Sequence, residues 1–239
     1  MHIHFVAIGG AGINPLARFA IKAGYEVSGS DLRSNDLIEK MIESGVEIKI
    51  GDALQSIKQI TKKIDWVVYS SAVSMNQDNK EFFEYLDQNN IKHTKRDQFL
   101  DYLIKENNQK LIAIAGTHGK TTTTAMLAWL MSSLKLNANY ILPAEVDFGD
   151  SVNFEKSNEY LIYEADEFDR NFLSFSPYIT LISGISWDHQ EIYPSVEEYN
   201  DAFIQFINQS DKVYIYKNDQ EYLNYSSDNM VVLDPEDQR

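Results

Sequence analysis

Leu111-Ile112-Ala113-Ile114-Ala115-Gly116-Thr117-His118-Gly119-Lys120-Thr121-Thr122-Thr123 is the stretch on which the fold turns. Leu111 to Ala115 reads as a buried strand, Gly116 to Gly119 as a short loop, and Lys120 to Leu134 as a helix. Backbone N–H groups of such a loop cradle phosphates, a lysine neutralises their outer oxygens, and the first threonine hydroxyl is placed to ligate Mg²⁺. A nucleoside triphosphate is the natural guest of Gly116, Thr117, His118, Gly119, Lys120, Thr121 and Thr122. The standard spacing G-x-x-x-x-G-K-[ST] needs glycine where this chain has Ile114, so the loop is a shortened variant. An ordinary capped helix start leaves unexplained why Gly, Lys and Thr all fall at the turn. His118 is open to two roles, capping or stacking.

Downstream, Tyr160 to Tyr163 reads as a strand that ends in Glu164-Ala165-Asp166-Glu167-Phe168-Asp169-Arg170, four carboxylates in six positions. Such crowding is repulsive unless a cation or an arginine compensates it, and a hard divalent ion beside phosphates does so. The strand Ile179 to Ser183 leads to Gly184-Ile185-Ser186-Trp187-Asp188-His189, bringing a carboxylate and an imidazole to the same sheet edge. Thr121, Glu164 and His189 are therefore candidate Mg²⁺ ligands, and Lys120, Glu164 and His189 the catalytic candidates. The bland alternatives are a solvated acidic loop and an Asp-His capped turn. A helix Val196 to Ile207 and a strand Val213 to Tyr216 continue the pattern, and the stripe Leu127, Leu130, Met131 and Leu134 is expected in the core.

Upstream the same grammar has already run once. Ile3 to Ile8 reads as a strand, and Leu16, Phe19, Ala20 and Ala23 recur at helical spacing behind Pro15. Strand signals return at Glu26 to Ser28, Val46 to Ile50 and Trp66 to Tyr69, with a helical pattern over Lys80 to Leu86. Alternating strands and helices imply parallel sheets with right-handed crossovers. Between the first strand and helix lies Gly9-Gly10-Ala11-Gly12, where small residues admit a pyrophosphate at a helix N-terminus, and Asp31 follows about 20 residues on, where an acid meets a ribose in NAD sites. The third glycine of G-x-G-x-x-G falls on Pro15, so the NAD pattern is incomplete. A tight turn with no ligand is the other reading, and Ser70-Ser71-Ala72 adds hydroxyls at the same edge.

The whole chain of 239 residues, 44% hydrophobic and 24% charged, suits a packed α/β protein of two domains. The polar run Lys105 to Lys110 sets the expected boundary: a Rossmann-like parallel-sheet domain over 1–107, then an ATP-binding P-loop α/β domain over 108–239. A net charge of −15 opposes nucleic-acid binding, and the lack of cysteine removes disulfides, thiolate metal sites and cysteine nucleophiles. No apolar run approaches the roughly 20 residues that span a bilayer, and the chain is expected in the cytoplasm.

The ordered set Ile8 to Gly12, Gly29-Ser30-Asp31, Ser70-Ser71-Ala72, Ala115 to Thr123, Glu164 to Arg170 and Asp188-His189 resembles the Mur ligases over the whole chain. The loop with His118 is most similar to the branch joining L-alanine to UDP-N-acetylmuramate, and the run Gly184 to His189 also resembles the muropeptide-ligase branch. The resemblance implies an ATP- and Mg²⁺-dependent amide ligase of peptidoglycan precursor synthesis acting through an acyl phosphate. It implies that Gly9, Gly10, Ala11, Gly12, Ser30, Asp31, Ser70, Ser71 and Arg170 bind the substrate, with UDP replacing NAD at the first turn. The family pattern carries asparagine at Gly184, while sister branches place a carbamylated lysine near Ala202, Phe203 and Ile204. Mur ligases have three domains, so the resemblance implies that the C-terminal domain is absent and that the central ATP-binding domain, in which Pro235 to Arg239 falls, is incomplete. This chain alone is expected to bind nucleotides and ligate poorly.

Overall fold

A computed structural model describes residues 1–234 and 236, so the end of the expected 108–239 span lies partly outside the described residues. The chain divides into two compact units, Met1–Leu100 and Asp101–Arg239.

The first unit is built from β1 (His2–Val6), α1 (Asn14–Lys22), β2 (Glu26–Asp31), α2 (Asp36–Glu43), β3 (Glu47–Ile50), α3 (Ala53–Ile57), β4 (Trp66–Tyr69), α4 (Ser71–Met75), α5 (Lys80–Gln88) and β5 (Lys92–Lys95). Its five strands pair in parallel in the order β3-β2-β1-β4-β5. Strand order reverses at β1, so the turn after β1 opens into the crevice where ligands of doubly wound sheets sit. β1 ends two residues earlier than its apolar run because Ala7 turns to φ 59°. Pro15 sits in the first turn of α1, where its missing N–H costs nothing. The core packs Val6 and Val67 of the sheet against Ala53 and Ile57 of α3 and Phe82 and Leu86 of α5.

α6 (Arg96–Glu106) leads into β6 (Lys110–Ala115), α7 (Lys120–Ser133), β7 (Ala138–Ile141), β8 (Val152–Asn153), β9 (Tyr160–Glu164), a 3₁₀ segment (Phe168–Ser174), β10 (Ile179–Ile182), α8 (Val196–Gln209), β11 (Val213–Tyr216), α9 (Lys217–Leu223) and β12 (Met230–Leu233). The seven strands run in the order β12-β11-β10-β6-β9-β7-β8, all parallel except β8. β6 is thus central, flanked by β9 and β10. Their carboxyl ends bring Glu164 and the Ser183-Gly184 turn to either side of the Gly116–Gly119 loop. The α/β class expected from the sequence is what is found.

One expectation is corrected. The helix α7 turns Thr124 and Ala128, small side chains, onto the sheet, while Leu127 and Met131 are half-buried. Leu130 and Leu134 are exposed, as are Met126 and Trp129. From Ala125 to Met131 the helix is apolar on every side, so periodicity alone did not say which face the sheet would take.

Candidate functional site

Gly116 leaves β6 at φ 134°, and Gly119 enters α7 at φ 80°, left-handed conformations that suit glycine. A Cβ at Gly116 would lie 2.7 Å from both Gly184 O and Ser183 Oγ, so the loop rests directly on the end of β10. Ser183 Oγ donates to Ala115 O (3.1 Å) and His118 O (2.6 Å), and Thr117 N–H donates to Gly184 O (2.7 Å). The Thr117 hydroxyl donates to Ser186 O (2.8 Å), accepts from Ser186 N (2.9 Å) and meets Tyr199 OH (2.7 Å). Thr117 thereby sets the shape of the loop with every polar group it has. Gly119 caps α7 with no side-chain bond, leaving the first-turn N–H groups, which have no intrahelical acceptor, at the open end.

Lys120 folds back over this loop. Its Nζ donates to Gly116 O (2.5 Å), Thr117 O (3.3 Å) and Glu167 Oε2 (2.8 Å). Glu167 is wholly buried, and burial pushes its carboxyl above the usual carboxylate range against the pull of Lys120. Thr121 Oγ1 donates to Glu164 Oε2 (2.7 Å), so a hydroxyl from the first turn of α7 meets the carboxylate at the end of β9. These are hard oxygen donors of the kind Mg²⁺ takes beside phosphate and water. His189 sits at φ 53° in a turn closed by Tyr193 and Ile192 N–H groups on its carbonyl (2.9 and 2.8 Å), with Nε2 3.7 Å from Glu167 Oε1. Among the described residues no three His, Cys, Asp or Glu side chains form a metal cage. The structure joins Thr121 to Glu164, while the contacts of His189 are with Glu167 and Glu191.

The acidic run is sorted, not pooled. Glu164 takes Thr121, Asp166 Oδ1 accepts Phe168 N–H (3.0 Å), Glu167 takes Lys120, and Asp169 lies in the 3₁₀ segment at φ 52°. Arg170 stacks on the Tyr193 ring at 5.3 Å and lies 3.6 Å from Glu198. Burial pushes the Tyr193 and Tyr199 hydroxyls up, keeping both neutral donors, and Tyr193 OH donates to Glu167 O at 2.5 Å. Sequence spacing gave no reason to single out Glu167 from its neighbours, nor Ser183, Tyr193 and Tyr199, whose hydroxyls work inside the site.

At the first glycine turn, Asp31 Oδ2 accepts Gly9 N–H (2.9 Å), and Asn35 Nδ2 donates to Gly9 O (3.1 Å). Ile13 and Asn14 N–H close on Gly10 O (3.0 and 2.8 Å). The Arg96 guanidinium lies directly over Gly12, where a Cβ would come 1.7 Å from Nη1 and push that side chain aside. A guanidinium against the turn is a cation that the sequence did not bring to notice. Ser30 is buried and bonds His4 Nε2 (3.1 Å); Ser71 is buried at the start of α4, and Ser70 precedes it as N-cap. His4 also meets Ser28 (2.9 Å), and burial, reinforced by His2, lowers its pKa to about 3.

Residues 2–108 match the family described as Mur ligase family, catalytic domain, and residues 114–233 match the Mur ligase middle domain. The UDP-N-acetylmuramate–L-alanine ligase of Clostridium tetani is 37% identical over 206 residues, 86% of this chain and 43% of that protein. The ligase of the same name from Syntrophomonas wolfei is 40% identical over 208 residues, 87% of this chain and 43% of that protein. The chain thus spans less than half the length of these curated relatives. The structure of UDP-N-acetylmuramate-alanine ligase from Thermotoga maritima superposes with a TM-score of 0.82 at 29% identity, covering 98% of this chain and 53% of that one. A UDP-N-acetylmuramate:L-alanyl-γ-D-glutamyl-meso-diaminopimelate ligase from Neisseria meningitides shares the fold, with a TM-score of 0.81 at 23% identity, covering 98% of this chain and 77% of that one. With both of its sheets matched and the phosphate loop seated between β9 and β10, the chain belongs to the Mur ligase family.

Proposed function

We propose that this chain carries the sugar-nucleotide and ATP sites of a ligase that joins L-alanine to UDP-N-acetylmuramate in the cytoplasm, with domains over 1–107 and 108–239. The observation that carries the ATP site is the contact of Thr121 with Glu164 beside a lysine folded over a glycine loop. In the reaction the lactyl carboxylate oxygen attacks the γ-phosphorus and ADP leaves. The alanine amine then attacks the acyl carbon, phosphate leaves and the amine loses a proton.

The first step brings two anions together, and the chain's residues answer that repulsion. The α7 N-terminus and Lys120 face the phosphates, and Lys120 exchanges its loop carbonyls for phosphate oxygens when nucleotide enters. Thr121, Glu164 and His189 would hold Mg²⁺, which supplies charge neutralisation and orients the transferring group. Gly9, Gly10, Ala11 and Gly12 present a backbone cradle to the UDP pyrophosphate, with Asp31 fixing the turn through Gly9 N–H and Arg96 adding positive charge. Ser30, Ser70, Ser71 and Arg170 complete the assignment on the substrate side, Ser30 acting from beneath through His4.

Calorimetric titration of UDP-N-acetylmuramate and of Mg-ATP, with NAD as control, tests this. Binding of the first two and not of NAD supports the proposal; binding of NAD alone overturns it. Alanine against the L-alanyl-γ-D-glutamyl-meso-diaminopimelate tripeptide, compared as substrates in phosphate-release assays, separates the two ligase branches.

A further inference from the structure

We propose that Glu167 is a two-armed positioning residue, one carboxylate oxygen fixing Lys120 and the other setting the ring of His189. The inference rests on the ligase reading for what Lys120 and His189 do, and on the geometry for what Glu167 does.

Glu167 has no solvent contact, and its two oxygens are treated unequally. Oε2 accepts from Lys120 Nζ at 2.8 Å, whereas Oε1 is buried with no hydrogen-bond partner. A buried acceptor left without its hydrogen bond is costly, and such orphans call for an explanation. The group that Oε1 faces is His189 Nε2, 3.7 Å away, beyond hydrogen-bond range by under about 1 Å.

The backbones at both ends are already tied together. Tyr193 OH donates to Glu167 O (2.5 Å), while Tyr193 N–H donates to His189 O (2.9 Å). Tyr193 is itself buried, edge-on to Tyr199 at 5.0 Å. Phe168 places its ring edge-on to the His189 imidazole at 5.2 Å, and Asp188 Oδ1 accepts His189 N–H (2.7 Å). What stays adjustable is the imidazole itself. A proton on Nε2 directed at Oε1 leaves the lone pair on Nδ1, the form in which that nitrogen can take a metal ion; Nδ1 lies 3.8 Å from exposed Glu191. Removing such a carboxylate behind a metal-binding histidine costs about 10–100-fold in metal affinity.

Two-bond ¹H–¹⁵N spectra of the ligand-free ¹⁵N-labelled chain at pH 8 read the ring tautomer, with His189 assigned through His189→Gln. Wild type is expected to hold the proton on Nε2. In Glu167→Gln, Lys120 claims the amide oxygen, so the NH₂ group faces Nε2 and drives the proton to Nδ1. An unchanged tautomer overturns the proposal. Should Glu167→Gln fail to fold by circular dichroism, Glu167→Asp, which withdraws the carboxylate, is expected to lose the Nε2 preference, and retention of it overturns the proposal equally. In titrations of ATP with and without Mg²⁺, the gain in affinity given by the metal is expected to shrink about tenfold in Glu167→Gln; a full gain overturns it. If wild type binds no Mg-ATP, the ligase reading fails while the tautomer still decides the role of Glu167.

Discussion

Replacing Gly116 with alanine strikes the loop where backbone conformation and packing coincide. Its φ of 134° is a glycine region, and holding an L-residue there costs about 1–3 kcal/mol. The added Cβ would stand 2.7 Å from Gly184 O and 2.7 Å from Ser183 Oγ, two atoms that already hold the loop through Thr117 N and His118 O. Relieving that overlap costs a further 1–3 kcal/mol or so as overpacking, and about 1 kcal/mol for the Thr117–Gly184 hydrogen bond. The sum is about 3–7 kcal/mol, or roughly 6–28 °C in Tm at 2–4 °C per kcal/mol. Gly184→Ala is the matched control, because Gly184 has φ 147° but nothing within 4 Å of its Cβ, so only the conformational part applies. Differential scanning calorimetry of both variants, with Mg-ATP titration, is the assay. A Gly116→Ala protein within about 2 °C of wild type, or no less stable than Gly184→Ala, refutes the packing argument. Undiminished Mg-ATP binding refutes the phosphate-loop assignment.

Lys120→Ala removes the partner of a buried carboxylate, so it is expected to weaken ATP by roughly 10–150-fold and to lower stability by several kcal/mol. Adding Glu167→Gln to it should restore much of the stability and none of the ATP affinity, read by chemical denaturation and calorimetry. His4 gives the first unit an acid sensitivity. The unfolded chain takes a proton on this residue near pH 6.5, and the folded one refuses it down to about pH 3, so its stabilisation is complete above 6.5 and drains as pH falls through that window. Urea titrations at pH 7.5 and 5.0 should differ by about 2 kcal/mol from this group, and the same difference in His4→Gln would contradict it. Trp129→Ser and Leu130→Ser, on the exposed face of α7, are expected to change stability by no more than about 0.5 kcal/mol, where a core position would cost several.

The strands that were legible are β1, β2, β3, β4, β6, β9, β10 and β11, most of them short runs rich in apolar side chains that burial demands. β5 was not, because Lys92-His93-Thr94-Lys95 has no apolar residue at all. It is an edge strand, joined to the sheet by Trp66 Nε1 donating to Thr94 Oγ1 (2.9 Å) and by Lys92 over the Trp66 ring at 3.2 Å. Edge strands tolerate such composition and gain from its charge. In the site, sequence spacing found Lys120, Thr121 and Glu164 because a strand end and a helix start are local events. It could not rank Glu164, Asp166 and Glu167, since what separates them is depth: Glu167 is sealed behind Tyr193 and Lys120, while Glu164 stands at the helix start. Arg96 was invisible for the same reason, being about 80 positions from the glycine turn it covers.

Gly184 brings the two kinds of information into conflict. The resemblance to the Mur ligases puts asparagine there, which reads as a polar group lost beside the residues proposed to hold Mg²⁺, and on that view Gly184→Asn should repair the site. The backbone argues the opposite. Asparagine tolerates the left-handed helical region near φ 57°, but Gly184 lies at 147°, well outside it. Its carbonyl also accepts Thr117 N–H and limits the space at Gly116, so a change of φ would move the floor of the phosphate loop. Because nothing lies within 4 Å of a Cβ at this position, the cost is conformational, about 1–3 kcal/mol. The Gly184→Asn chain is therefore expected to unfold at lower temperature and to bind Mg-ATP more weakly than wild type. A variant as stable as wild type that binds Mg-ATP more tightly would show that the amide outweighs the backbone, and that the loop floor is free to adopt a second geometry.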